Sequence, residues 1–147
     1  LGTKYLFSNI IDIGCGSAIL AIAAAKLFKT AKILATDIDP DAINVTKENT
    51  VKNNVSNVKA AEADGIHSAS IIQNAPFDLI ICNILSNVLI QIASDINKIS
   101  TNGTIIVLSG LTIRQLDAVT DSYAQNHFQT IDLIHEDEWC TLIMQKL

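Results

Sequence analysis

Basic side chains are scarce in this chain. Ten lysines and arginines stand against fifteen aspartates and glutamates over 147 residues, a formal charge of -5. Nucleic acid is held largely through its phosphates, and a binder needs a basic face that this composition does not offer. No direct nucleic-acid partner is expected, and the acidic surface suits a basic protein partner instead. Cysteine is limited to Cys15, Cys82 and Cys140, odd in number and far apart. That spacing excludes a disulfide framework and a paired-thiol motif, and it points to a reducing, cytoplasmic location. His67, His127 and His135 share no metal-ligand spacing, so no metal is expected. The longest apolar runs, such as residues 19–25 and 105–108, are far too short to cross a bilayer. Pro40 and Pro76 are the only prolines, and no repeat or Pro/Gly-rich linker divides the chain.

What is present is a core. Hydrophobic residues make up 49% and charged residues 17%, which places the chain among globular proteins. The length suits one domain, able to bury roughly 70% of the surface its unfolded form exposes. No exposed apolar stripe calls for a partner, so a monomer is expected. The chain opens on Leu1 and not on methionine. It therefore reads as part of a longer protein, with an upstream targeting segment left open.

Short β-branched runs alternate with stretches long enough for helices, the pattern of a parallel sheet covered on both faces. Strands are predicted over Asn9–Ile13, Ile33–Thr36, Val58–Ala63, Phe77–Cys82 and Thr104–Leu108. Helices are predicted over Ser17–Phe28, from Pro40 to about Val51, through Val88–Ile99, and through Ile113–Tyr123. Asp39-Pro40-Asp41 is a helix start, with a capping carboxylate followed by proline at the first helical position. Asn102-Gly103 reads as a turn. Phe128–Ile134 and Trp139–Met144 have no helix between them and should form an antiparallel hairpin around the solvated tip Glu136-Asp137-Glu138. Trp139 is expected in the hairpin's core. The expected fold is thus α/β: a doubly wound, Rossmann-like, mostly parallel seven-stranded sheet closed by a C-terminal antiparallel hairpin.

In such a sheet the ligand lies beyond the carboxyl ends of the strands, where strand order reverses. Those ends carry Asp12-Ile13-Gly14-Cys15-Gly16-Ser17, Asp37, Asp64, Asn83 and Ser109-Gly110. The glycines let backbone approach a ligand closely. Asp37 closes the second strand, where a carboxylate can accept both hydroxyl hydrogens of a ribose. Asp64 is placed to accept from an adenine's exocyclic amine. A dinucleotide fingerprint would need a third glycine where Ile19 stands, so a pyrophosphate is disfavoured. Blander roles compete at several positions. Asp12 can simply bond backbone N–H groups of the loop, Asp64-Gly65 is a common turn pair, and Asn83 can cap the following helix. Cys15 and Cys82 read as small apolar fillers.

The run from Asp12 to Leu27, followed by Asp37-Ile38-Asp39-Pro40, Glu48-Asn49, Phe77-Asp78 through Asn83-Ile84-Leu85, and Leu108-Ser109-Gly110, resembles a known family. These are the bacterial methyltransferases that modify protein eleven of the large ribosomal subunit, and the likeness covers nearly the whole chain. The resemblance implies a class I fold, S-adenosyl-L-methionine as cofactor, and methylation of lysine ε-amines and an N-terminal α-amine of that ribosomal protein. It places Gly14, Gly16 and Ile38 against the cofactor, Asp37 at its ribose, and Asp64 near its adenine. It also implies Asn83 near the transferred methyl, with Asp12 counted in the cofactor set.

The chemistry is an in-line displacement on an electrophilic sulfonium, so aligning a neutral amine dominates. The side-chain carbonyl of Asn83 and the backbone carbonyl of Ile84 could accept its hydrogens. Two departures stand out. The family usually has glycine where this chain has Ala18. It also carries an N-terminal substrate-recognition domain and a Gly-Thr-Gly-x-His segment, which Gly2-Thr3-Lys4 does not match. The chain is expected to be the catalytic domain alone. Three alternatives are kept: another class I N-methyltransferase, a non-catalytic S-adenosylmethionine-binding module, and, last, a nicotinamide-cofactor domain. A nucleobase substrate is disfavoured because Ile84-Leu85-Ser86 has neither proline nor an aromatic with which to stack a base.

Overall fold

Ile10 and Ile11 point to opposite faces of β1 (Asn9–Ile13), and both have no exposed surface. A strand buried from both sides belongs in the middle of a sheet with two covered faces. The computed structural model, which describes residues 5–147, places it there. The strands are β1, β2 (Lys32–Asp37), β3 (Val58–Glu62), β4 (Phe77–Asn83), β5 (Ser100–Thr112), β6 (Phe128–Glu136) and β7 (Trp139–Lys146). They form one seven-stranded sheet in the order β3-β2-β1-β4-β5-β7-β6. The first five run parallel, while β7 lies antiparallel to both β5 and β6. Chain order therefore reverses between β1 and β4, and the crevice beyond their carboxyl ends is the expected ligand position.

Five helices join the strands: α1 (Ile19–Leu27), α2 (Pro40–Lys52), α3 (Ala69–Ile72), α4 (Ser86–Lys98) and α5 (Ile113–Ala124). One core layer packs Leu89, Ala93 and Ile96 of α4 and Val119 and Tyr123 of α5 onto Ile80, Cys82, Ile106 and Leu142. The other packs the alanines of α1 onto Ile10, Ile33, Leu79 and Ile105. Small side chains let α1 approach the sheet closely, which is why Ala21, Ala24 and Ala25 form its buried stripe. No helix among the described residues is long and apolar enough to cross a membrane.

The architecture agrees with the sequence reading, with local differences. α1 starts at Ile19, two residues later than predicted, because Ala18 adopts a left-handed conformation (φ 64) that cannot continue into a helix. α3 was not anticipated; four residues give too little periodicity to read. β5 extends in both directions and spans Asn102-Gly103, where the turn marked by the sequence survives as an irregularity in the β4 pairing with Gly103 at φ 90. The expectation for Gly2-Thr3-Lys4 falls outside the described residues.

Candidate functional site

The loop between β1 and α1 is tied down by bonds to its neighbours in the fold. Gly14 (φ 71), Gly16 (φ 54) and Ala18 (φ 64) all take left-handed conformations, so the backbone reverses repeatedly over five residues. The N–H groups of Gly14 and Cys15 donate to the carbonyl of Thr36 at 2.8 and 2.9 Å. The Gly16 N–H donates to Asp37 Oδ2 at 2.9 Å, and Ala18 N–H to the carbonyl of Cys15 at 2.8 Å. From α2, Thr46 Oγ1 donates to the Gly16 carbonyl at 3.1 Å and Asn49 Nδ2 to the Ser17 carbonyl at 2.9 Å. Thr46 has no exposed surface. Thr46 and Asn49 are thus clamps on the glycine loop. In the sequence Asn49 stands out only as part of a motif and Thr46 not at all, since α2's polar face looks like any solvated helix.

Asp12 stands behind this loop. It is 1% exposed, and its Oδ2 accepts the N–H of Ala21 at 3.0 Å. α1 has no side-chain cap of its own, and Asp12 supplies one from the preceding strand. Burial pushes its carboxyl up to about 7, against the lowering effect of the Ala21 bond, with the nearby charge of Asp37 adding a smaller upward push. Its bond is to the first turn of α1, not to the glycine loop, and Asp12 does not line the cavities described next.

Two cavities open at the carboxyl end of the sheet. The first, about 540 Å³, brings Gly14, Asp37, Ile38 and Asp64 together with Ile84 and Leu85. Asp37 is half-buried at the end of β2, and its second oxygen accepts the N–H of Asp39 at 3.0 Å. A carboxylate offers about four acceptor positions, so one or two remain toward the cavity after these two backbone bonds. Asp64 is exposed and follows Ala63, whose N–H donates to the Asp37 carbonyl at 2.9 Å. Ile13, Ile66, Val88 and Ile92 give the cleft apolar walls, suited to the flat face of a base. At Gly14 an added Cβ would overlap the Ile84 side chain, so only glycine lets the loop and the β4–α4 connection meet.

The second cavity, about 630 Å³, adjoins the first and shares Ile84 and Leu85 with it. Its floor holds Asn83, Ser109 and Gly110. Asn83 is exposed, and its side chain has no hydrogen-bond partner among the described residues. α4 starts at Ser86 with Leu85 at its N-cap, so Asn83 does not cap it. Gly110 (φ 75) lies against both candidate acceptors: a Cβ added there would stand 2.7 Å from Asn83 Oδ1 and 3.6 Å from the Ile84 carbonyl oxygen. The Asn83 side-chain oxygen and the Ile84 carbonyl oxygen are thus neighbours, at the boundary between the two cavities.

The far wall corrects the sequence reading. Trp139 is 54% exposed and lines this second cavity with Glu136, instead of filling the hairpin core. The core role belongs to Cys140, Leu142 and Met144 on the other face of β7. Cys15 is half-buried beside Thr46, with burial pushing its thiol up to about 11, and Cys82 is fully buried. Neither is poised as a nucleophile. Among the described residues no group of three His, Cys, Asp or Glu side chains is arranged to hold a metal ion.

The family model described as ribosomal protein L11 methyltransferase (PrmA) matches residues 4–147. The chain belongs to this family. A ribosomal protein L11 methyltransferase of Caulobacter is 36% identical over 140 residues, covering 95% of this chain and 48% of that protein. One of Brucella suis is 40% identical over 136 residues, covering 92% and 47%. The crystal structure of ribosomal protein L11 methylase from Lactobacillus delbrueckii subsp. bulgaricus superposes with a TM-score of 0.87 at 27% identity, covering 99% of this chain and 73% of that one. The chain spans about half the length of the curated L11 methyltransferases it matches. For this L11 methyltransferase family member, the structure brings Gly14, Asp37, Ile38, Asp64 and Ile84 around one cavity and sets Asn83 at the edge of the next.

Proposed function

We propose that residues 1–147 form the catalytic domain of an S-adenosyl-L-methionine-dependent methyltransferase acting on lysine ε-amines and the N-terminal α-amine of a large-subunit ribosomal protein. It would act in the cytoplasm, as a monomer. The observation that carries this reading is the junction at Ile84–Leu85, where a cleft with a ribose-type carboxylate meets a cavity carrying two carbonyl acceptors. The cofactor, held by Gly14, Asp37, Ile38 and Asp64, supplies an activated methyl group.

The protein's own residues contribute positioning. Asn83 Oδ1 and the Ile84 carbonyl oxygen accept the two hydrogens of a neutral amine and leave its lone pair directed toward the first cavity. Gly110 keeps the space behind those oxygens clear, and Thr46 and Asn49 hold the glycine loop in place. Alignment of this kind contributes much of the barrier reduction in a displacement that needs no strong base. The loop geometry also weighs against a dinucleotide. A pyrophosphate seeks free loop N–H groups, whereas those of Gly14, Cys15, Gly16 and Ala18 are all taken by Thr36, Asp37 and Cys15.

Methyl transfer is tested by incubating the protein with S-adenosylmethionine and the ribosomal protein and following methyl additions by mass spectrometry. Asn83→Ala should lower kcat on the order of 100-fold, the scale of a misplaced reactant, while leaving S-adenosylhomocysteine affinity unchanged. Equal turnover by wild type and Asn83→Ala would overturn the role of Asn83. Cofactor binding without any turnover would favour the non-catalytic module.

A further inference from the structure

The hairpin of β6 and β7 closes the edge of the sheet, and its tip forms one wall of the second cavity. Strand register sets a row of side chains across four strands on one sheet face. Asn83 of β4 pairs with Ser109 of β5, the Ser109 and Thr141 hydroxyls are 3.0 Å apart, and Thr141 of β7 pairs with Ile134 of β6. The next row toward the tip is Glu136 opposite Trp139, with Trp139 in turn opposite Thr112. Directly opposed residues of an antiparallel pair project to the same face with Cβ atoms about 5 Å apart. A carboxylate and an indole therefore stand side by side, and the row that holds Asn83 lies immediately inward.

Both residues are open to a ligand. The Glu136 carboxylate makes no ion pair or hydrogen bond among the described residues, whereas the ion pairs present involve Glu48 and Asp95. Trp139 exposes half its surface although it is the largest apolar side chain of its strand. An exposed tryptophan beside an unpaired carboxylate is an arrangement that attracts a cation on an alkyl stem. The carboxylate attracts the charge, and the indole face attracts both the charge and the methylenes.

We infer that Glu136 and Trp139 form the amine-selecting wall of the site, capturing the protonated lysine-type side chain and delivering it along the row to Asn83. The inference rests on the methyltransferase reading above and adds where the amine is recognised. Capture and transfer are separate in space. Methyl transfer consumes the neutral amine, so Glu136 acts at capture, and Asn83 with the Ile84 carbonyl acts after the proton has passed to water.

Trp139 is the sole tryptophan of the chain, so its fluorescence reports this cavity directly. The 147-residue chain, saturated with S-adenosylhomocysteine as verified by calorimetry, is titrated with N-α-acetyl-lysine amide at low salt. The same titration is run with the analogue acetylated on its ε-amine. The wall predicts a saturable fluorescence change with the charged analogue only, weakened by added salt as the charges are screened. Glu136→Gln should weaken binding roughly threefold, the scale of one exposed ion pair, and Glu136→Lys should abolish it. S-Adenosylhomocysteine affinity should be unchanged in both variants. If S-adenosylhomocysteine binds but the charged and acetylated analogues bind alike, or Glu136→Gln binds as wild type does, the inference is overturned and the methyltransferase reading stands. If S-adenosylhomocysteine does not bind at all, both fall together.

Discussion

Ala18 shows how a single side chain sets the margin of this site. It is fully buried and left-handed at the head of α1, in a region that costs an L-residue about 1–2 kcal/mol. Replacing it with glycine relieves that strain and forfeits one buried methyl group, worth about 0.8 kcal/mol. Glycine also costs about 0.4–1 kcal/mol through the freer unfolded chain, so gains and losses nearly cancel. Ala18→Gly should therefore leave the Tm within about 2 °C of wild type in thermal melting, and a loss of several degrees, as expected where no strain offsets those costs, would contradict the strain. The same scale separates what the sequence made legible from what it hid. Gly14, Asp37 and Asn83 stand at strand ends, and position along the chain announces them. Thr46, Asn49 and Trp139 act through what they face across the fold. A tryptophan in an apolar strand looks like core until the tip is seen to line a cavity.

At the scale of elements, β1 and α1 are coupled by the buried bond from Ala21 to Asp12. Burial raises the folded-state carboxyl to about 7 from an ordinary 3.8. The folded state therefore holds its proton more tightly than the unfolded state does. Stability falls as pH rises between those two values and levels off above about 7, with a total on the order of 4 kcal/mol. Asp12→Asn keeps an acceptor for Ala21 and removes the titration. Denaturant unfolding from pH 4 to 8 should show the variant gaining on wild type steadily up to about pH 7, and parallel curves would contradict the buried carboxyl. Elements with their own periodicity or caps, such as α2 behind Asp39-Pro40, were readable from sequence. α3 was not, being a single turn. Asn102-Gly103 keeps a local reversal inside β5: it falls in the register shift between the Phe77–Ser100 and Leu79–Ile105 pairs, with Gly103 at φ 90.

At the scale of the whole molecule, the alternation of strands and helices with a terminal hairpin was enough to anticipate a seven-stranded sheet, and the observed order places β1 next to β4. What no local pattern shows is that the glycine loop, the end of β2 and the β4–α4 connection converge on two cavities with a common wall. That convergence depends on strand order and on contacts between residues distant in sequence, such as Gly14 with Ile84 and Gly110 with Asn83. On the proposed function, the first cavity takes a phosphate-free adenosine ligand anchored by Asp37. This binding mode is tested most directly by isothermal titration calorimetry of the chain with S-adenosylhomocysteine, with NAD in parallel and Asp37→Ala as the variant. The expected result is micromolar binding of S-adenosylhomocysteine, about -8 kcal/mol, weakened at least tenfold in Asp37→Ala, and no binding of NAD. Binding of NAD alone, or S-adenosylhomocysteine binding indifferent to Asp37, would contradict it.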